Sequence, residues 1–360
     1  MKSLGNLPDR FLAEIAGQPE VLRRAADGLA SQREALARLA AAPGPVVFTG
    51  MGASYAACYP PVTALAGLGV QASMVDTAEL LHFRRGLLGP GSILVLVSQS
   101  GRSAEAVRLA EELDRSSRPL LVTVTNGTGN PLAAAADVAL DTRAGVEQGP
   151  STGSFAACLV VLAAVAEVLG GRSVRDAVGF VRASTEAAAS AAGRLLADPE
   201  DAAEGLARWF DERPTVVMLG RGGARAASEV GALVLKEAAR VPAEALESAQ
   251  FRHGPLELAG PGLAAAVVAT EPATRMLDRS LAAELTRAGA SVLVIDAPPP
   301  GEPDEPVPGA AATIVIGGLD RRLAPAVAAV PFQLLAWRIA VDRGLRPGML
   351  EIAEKVTTRE

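Results

Sequence analysis

Three hydroxyls and an amide stand together in Ser98-Gln99-Ser100-Gly101-Arg102-Ser103, directly after the apolar run ILVLV and directly before the helical pattern AEAVRLAEELDR. The first N–H groups of a helix are unpaired and its dipole is positive at that end. Hydroxyls opening onto a helix start therefore suit an anion, and a phosphate is the natural guest. A plain N-cap would need one hydroxyl, Ser100 or Ser103, and would leave the others without a task. A second turn, Gly50-Met51-Gly52-Ala53-Ser54-Tyr55, offers Ser54 as a further ligand hydroxyl. It also invites comparison with a dinucleotide fingerprint, with Asp76 near the place of a ribose-binding acid. Neither this turn nor Gly220-Arg221-Gly222-Gly223 has the third glycine of the GxGxxG register, which counts against a nicotinamide oxidoreductase.

A different chemistry is offered further along. Glu237 lies in the helical pattern Val234-Leu235-Lys236-Glu237, and His253 follows 16 residues later in Phe251-Arg252-His253-Gly254-Pro255. A carboxylate and an imidazole can move protons between carbon and oxygen at neutral pH. Glu237 would shuttle a proton between adjacent carbons and His253 would open a sugar ring. The competing reading makes Glu237 a solvated partner of an arginine and His253 the cap of a turn. The other histidine, His82 in LLHFRR, is given no role. Cys58 and Cys158 lie in apolar stretches without metal or disulfide spacing and are expected in the core. No G-x-S-x-G elbow supports serine hydrolysis.

The elements that must position these groups occur twice. VVFTGMGASYAA from Val46 reappears as VVMLGRGGARAA from Val216, an offset of 170 residues. GSILVLVSQSG from Gly91 faces GLAAAVVATEP from Gly262, and LLVTVTN from Leu120 faces SVLVIDA from Ser291. Each copy alternates strand, turn and helix, which calls for a parallel sheet. The expected fold class is α/β, two tandem doubly wound parallel-sheet domains with functional loops at the carboxyl ends of the strands. The organisation expected is a helical segment over 1–42, one domain over 43–171, a linker helix over 172–213, a second domain over 214–344 and a tail over 345–360. The N-terminal helix is expected from about Pro8. PPPGEPDEPVPG, from Pro298 to Gly309, reads as an exposed loop.

Composition narrows the function. Of the 360 residues, 49% are hydrophobic and 21% charged, and the formal charge is -6, so nothing resembles a nucleic-acid footprint. No secretory signal pattern is visible. The most apolar stretch, Phe155 to Leu169, is shorter than the roughly 20 residues of a membrane span, so a cytoplasmic protein with no membrane partner is expected.

The motifs MGASY, SQSGRS, AGVEQGPST, GALVLKEAARVPAEALESAQFRHGP, VPFQLLAW and KVT, in this order, resemble the paired sugar-isomerase (SIS) domains, and among them the isomerase domains of glucosamine-6-phosphate synthases. The resemblance runs from about Ala41 to Glu360. It implies flavodoxin-like α/β/α domains and a phosphorylated sugar or amino sugar held by Ser54, Ser98, Gln99, Ser100, Ser103 and Ser151. It further implies Glu237 as the C1/C2 proton shuttle, His253 as the ring-opening group, contributed by a neighbouring subunit of a homodimer, and Lys355 as the contact or Schiff-base lysine. No metal or redox cofactor is implied. Lys355 stands one residue closer to Val356-Thr357 than the family's lysine. Val234 replaces a lysine three residues before the glutamate, Arg102 a glutamate, and Gly153 a lysine.

No glutamine-hydrolysing domain with an N-terminal cysteine is expected. The reading that results is an amino-sugar-phosphate isomerase/deaminase. The alternatives are a sugar-phosphate sensor and a fructosamine-6-phosphate deglycase.

Overall fold

Among the described residues, ten short runs rich in Val, Ile, Leu and Ala form strands: β1 (Val46–Gly50), β2 (Ala72–Asp76), β3 (Ile93–Val97), β4 (Leu120–Thr125), β5 (Val138–Asp141), β6 (Thr215–Gly220), β7 (Ala243–Glu247), β8 (Leu263–Ala269), β9 (Ser291–Asp296) and β10 (Ala312–Val315). The computed structural model describes residues 9–40, 42, 44–113, 118–211 and 213–359. Pro8, Ala41, Pro43, Glu212 and Glu360, which bound the segments expected from the sequence, lie outside the described residues.

The strands make two five-stranded sheets, ordered β2-β1-β3-β4-β5 and β10-β9-β8-β6-β7, and every pairing is parallel. Strand for strand the second order is the first, so the 170-residue repeat in the sequence is a repeat of topology. The central strands β1, β3 and β8 are buried along their whole length, as required of a parallel sheet with helices on both faces. This is the α/β doubly wound fold expected from the sequence, with the strand order of flavodoxin-like sheets.

Two helical expectations are corrected. The N-terminal segment is not one helix but Arg10–Ala16, Gln18–Gly28, a 3-10 turn Leu29–Gln32, and Arg33–Ala40. Gly17 ends the first piece, and Pro19, with no N–H to give, sits in the first turn of the second. The linker is likewise two helices, Val174–Leu195 and Pro199–Phe210, broken where Asp198 caps the second by accepting the N–H of Asp201 at 3.1 Å.

The helix Gly153–Leu169 is buried through Val168 and packs on the helices Gln18–Gly28, Tyr59–Gly67 and Val174–Leu195. Cys58 and Cys158 are buried and unpaired with each other, as core residues. Ala324–Asp342 is long and apolar enough to cross a membrane by length and composition, but 89% of its apolar window is buried against the rest of the chain. The Pro-rich insert is exposed over 300–306, with Val307 tucked in. Its Glu302 pairs with Arg275 at 2.6 Å, which anchors it.

Candidate active site

At the carboxyl ends of β1 and β3 a cavity of about 370 Å³ opens, the switch point where ligands of such sheets bind. Ser54, Gln99, Ser100, Ser103 and Ser151 line it, and so do Glu237 and Lys355. Seven of the nine side chains singled out in the sequence therefore face one space.

Its hydroxyl end is shaped by two glycines. A Cβ on Gly50 would come within 2.9 Å of the backbone of Ser54 and Tyr55, so only glycine lets the turn close and bring Ser54 in. Gly101 has φ +63°, and a Cβ there would lie 2.0 Å from Asn130 Oδ1. Ser98 is buried and does not line the cavity. Its hydroxyl accepts the N–H of Gly101 at 3.2 Å and shares a hydrogen bond with the Ser103 hydroxyl at 3.1 Å, which fixes the loop. Ser100 Oγ accepts the N–H of Arg102 at 3.1 Å. Ser103 occupies the N-cap position of the helix Ala104–Glu112 without capping it through its side chain, so the capping reading does not account for this hydroxyl. The N–H of Ala104 instead donates to the Thr357 carbonyl at 3.0 Å, which brings the C-terminal tail to the mouth of the loop.

The opposite wall is the helix Arg225–Ala239. Leu233 and Glu237, one turn apart, both face the cavity. Burial pushes the Glu237 carboxyl above its ordinary range. The Lys355 ammonium opposes that rise and the Glu147 carboxylate adds to it. Val234, where the resembling family carries a lysine, is fully buried in the core and does not line the cavity.

The residue that the sequence reading missed is Glu147. It receives Thr152 N–H at 2.9 Å, Thr152 Oγ1 at 2.8 Å, Ser154 N–H at 3.0 Å and Ser154 Oγ at 2.5 Å, and thereby caps the apolar helix Gly153–Leu169. Lys355 Nζ donates to Glu147 Oε2 at 2.8 Å and to the Gly149 carbonyl at 2.7 Å. Burial works to raise the Glu147 carboxyl, but the Lys355 charge and the Lys355 and Ser154 hydrogen bonds overcome it and hold the group below its usual range. The Ser151 hydroxyl bonds that of Ser154 at 2.9 Å. Glu14, from the first helix, accepts the N–H groups of Gln148 at 2.8 Å and Gly149 at 3.3 Å and so supports the same loop. A carboxylate just ahead of a Ser/Thr-initiated apolar helix was the available signal for Glu147.

Other sequence candidates fall elsewhere. His253 is exposed at the end of the short helix Ser248–Arg252 and does not line the cavity. Arg102 is exposed, its guanidinium donating to the Gly129 carbonyl at 3.3 Å. Asp76 caps the helix Thr77–Phe83, accepting the Glu79 N–H at 2.8 Å, so the ribose-acid reading loses its carboxylate. Among the described residues no group of three or more His, Cys, Asp or Glu side chains is placed to hold a metal.

Comparison with known proteins gives a consistent result. Residues 39–168 and 210–307 match the SIS domain family. A glutamine–fructose-6-phosphate aminotransferase (isomerizing) from Pyrobaculum aerophilum is 30% identical over 362 aligned positions, covering 100% of this chain and 59% of the relative. The chain thus spans about three fifths of that relative's length. Among solved structures, the C-terminal domain of glucosamine-fructose-6-phosphate aminotransferase from Francisella tularensis superposes with a TM-score of 0.80 at 23% identity, over 96% of this chain and 98% of that one. Tagatose-6-phosphate ketose/aldose isomerase from Escherichia coli gives 0.79 at 21%, over 98% and 97%.

Proposed function

Because the chain belongs to the SIS domain family, we propose that its cavity takes a hexosamine 6-phosphate and converts it, with water, to a ketohexose 6-phosphate and ammonia. The supporting observation is that a hydroxyl cradle and the pair Glu237 and Lys355 line opposite parts of one cavity. The two sheets are taken as two domains, 43–171 contributing the cradle and 214–344 contributing Glu237, with the tail over 345–360 closing the space between them.

In this reading Ser54, Gln99, Ser100 and Ser103 hold the phosphate with neutral donors, aided by the start of the helix Ala104–Glu112. Ser98 keeps the loop in shape. Ring opening breaks the C1–O5 bond as O5 gains a proton and the C1 hydroxyl loses one. The Glu237 carboxylate then removes the proton from C2, the C–H electrons form the C1=C2 bond, and the C1 carbonyl oxygen takes a proton beside Lys355. Glu237 returns its proton to C1, leaving an iminium at C2. Water adds there and ammonia leaves, so sugar and water are consumed in equal numbers. A carboxyl raised by burial is suited to taking and returning one proton near neutrality.

His253 is assigned the ring-opening proton transfer in the cavity of a second copy, because its own chain leaves it exposed and away from that space. A homodimer is part of the proposal. The test is turnover of glucosamine 6-phosphate, galactosamine 6-phosphate, a fructosamine 6-phosphate, and fructose 6-phosphate with ammonium, following ammonia and ketose. Ammonia released by the wild type and lost in Glu237→Gln supports deamination. Sugars that raise the melting temperature without turning over would replace it by a sensor role.

A further inference from the structure

The second sheet has the strand order of the first, so it owns a switch-point crevice as well, between the turn after β6 and the loop after β8. In the first copy the corresponding crevice is open and lined by hydroxyls. In the second it is filled from within. Glu271, 4% exposed, follows β8 and turns its carboxylate into the turn after β6. There the Gly223 N–H donates to Oε1 at 2.9 Å, and Arg321 Nη2 stands 2.7 Å from Oε2. Asp278, fully buried in the first turn of the helix Arg275–Arg287, lies 3.1 Å from Arg221 Nε. The turn is moulded to its occupant, since a Cβ on Gly223 would come within 2.6 Å of Glu271 Oε1.

We propose that this second crevice is a phosphate-type anion site whose occupant is the chain's own Glu271 carboxylate, so that each chain takes one phosphorylated ligand although it carries the fold twice. A carboxylate offers the same kind of charged acceptor as a phosphate oxygen. Being part of the chain, it binds without losing the translational and rotational freedom that a free anion loses on binding. The buried Gly223 N–H would lose its acceptor if the carboxylate were removed and the partly exposed Arg321 guanidinium would lose its ion pair to water, and a free anion would restore both contacts. The comparison of the two crevices rests on reading the Ser98–Ser103 loop as a phosphate cradle.

The test is thermal unfolding in inorganic phosphate against sodium chloride of equal ionic strength. Glu271→Ala and Glu271→Gln are compared, each in a Ser100→Ala/Ser103→Ala background that weakens the first cradle equally in both. Glu271→Gln keeps an acceptor for Gly223 and keeps the crevice filled. Phosphate should raise the melting temperature of Glu271→Ala by about 3–5 °C more than that of Glu271→Gln, the size expected when a ligand well above its Kd binds only the folded state. A Glu271→Ala chain that folds in phosphate and not in chloride gives the same answer. Equal responses of the two variants, or failure of Glu271→Ala to fold in either salt, would overturn the proposal. The serine background alone reports separately on the first loop. If it binds phosphate as the wild type does, the cradle assignment fails while the Glu271 comparison still decides the second crevice.

Discussion

Lys355 Nζ lies 2.8 Å from Glu147 Oε2, an ion pair that joins the C-terminal tail to the loop carrying Ser151. Lys355 lines the cavity with Glu237, and the pair acts on that carboxyl with both signs, the ammonium favouring its charged form and the Glu147 carboxylate its neutral one. The protonation of the proposed shuttle, raised first by burial, is therefore tuned by two residues brought together across 208 positions of sequence.

Substituting either partner should move the pH dependence of turnover, in opposite directions. As a base Glu237 must be ionised, so activity is lost as pH falls through its pKa. Lys355→Met removes the opposing cation and should shift the acid limb of kcat/KM to higher pH. Glu147→Gln removes the like charge and should shift it to lower pH. Rate profiles of the two variants check the signs, and equal shifts would contradict the coupling.

Glu237 should also cost stability. Its folded pKa is raised, so folding is favoured where the group is protonated in both states, and that advantage is lost as pH rises from the unfolded value through the folded one. Glu237→Gln should melt higher than the wild type at neutral pH, with the difference shrinking towards about pH 4. Melting curves across that range test it.

The hydroxyl cradle should act on binding and not on chemistry. Ser100→Ala or Ser103→Ala removes one donor to a charged group, worth about 1.5 kcal/mol and so roughly tenfold in KM with kcat little changed. Gly101→Ala should cost about 1–3 kcal/mol in urea unfolding, because φ +63° and the contact with Asn130 both exclude a side chain.

How much of this was legible in the sequence follows from the range of each signal. Strand, turn and helix repeat at a fixed offset, so the two sheets and the Ser98–Ser103 loop could be read from local pattern alone. The N-terminal and linker helices were read as unbroken because apolar periodicity carries across Gly17 and Asp198, where single residues end one helix and begin another. Local pattern offers Glu147 only as a cap of the helix Gly153–Leu169, and its contact with Lys355, 208 residues away, is announced by no spacing. Val234 looked like a gap in the site. Its burial shows a core position instead.

Restoring the family's lysine with Val234→Lys should accordingly not improve turnover. It would bury an ammonium among apolar side chains and should destabilise the fold by about 3 kcal/mol or more, read by denaturant unfolding.

If His253 serves the cavity of a second copy, two inactive variants should complement each other. Mixing Glu237→Gln with His253→Ala after subunit exchange should recover about a quarter of wild-type activity, since half the dimers are mixed and each of those holds one intact site. Mixtures that stay inactive would place the ring-opening group elsewhere.

The most direct test of the central claim is the fate of the C2 proton. Glucosamine 6-phosphate, or whichever amino sugar the turnover panel selects, is converted in deuterium oxide and the ketose product is read by NMR. With wild-type enzyme C1 of the product should carry the hydrogen taken from C2, replaced by deuterium to the extent that the Glu237 carboxyl exchanges with solvent before returning it, and neither transfer nor product should appear above background with Glu237→Gln. Product formed by Glu237→Gln at a rate near that of the wild type would contradict the account.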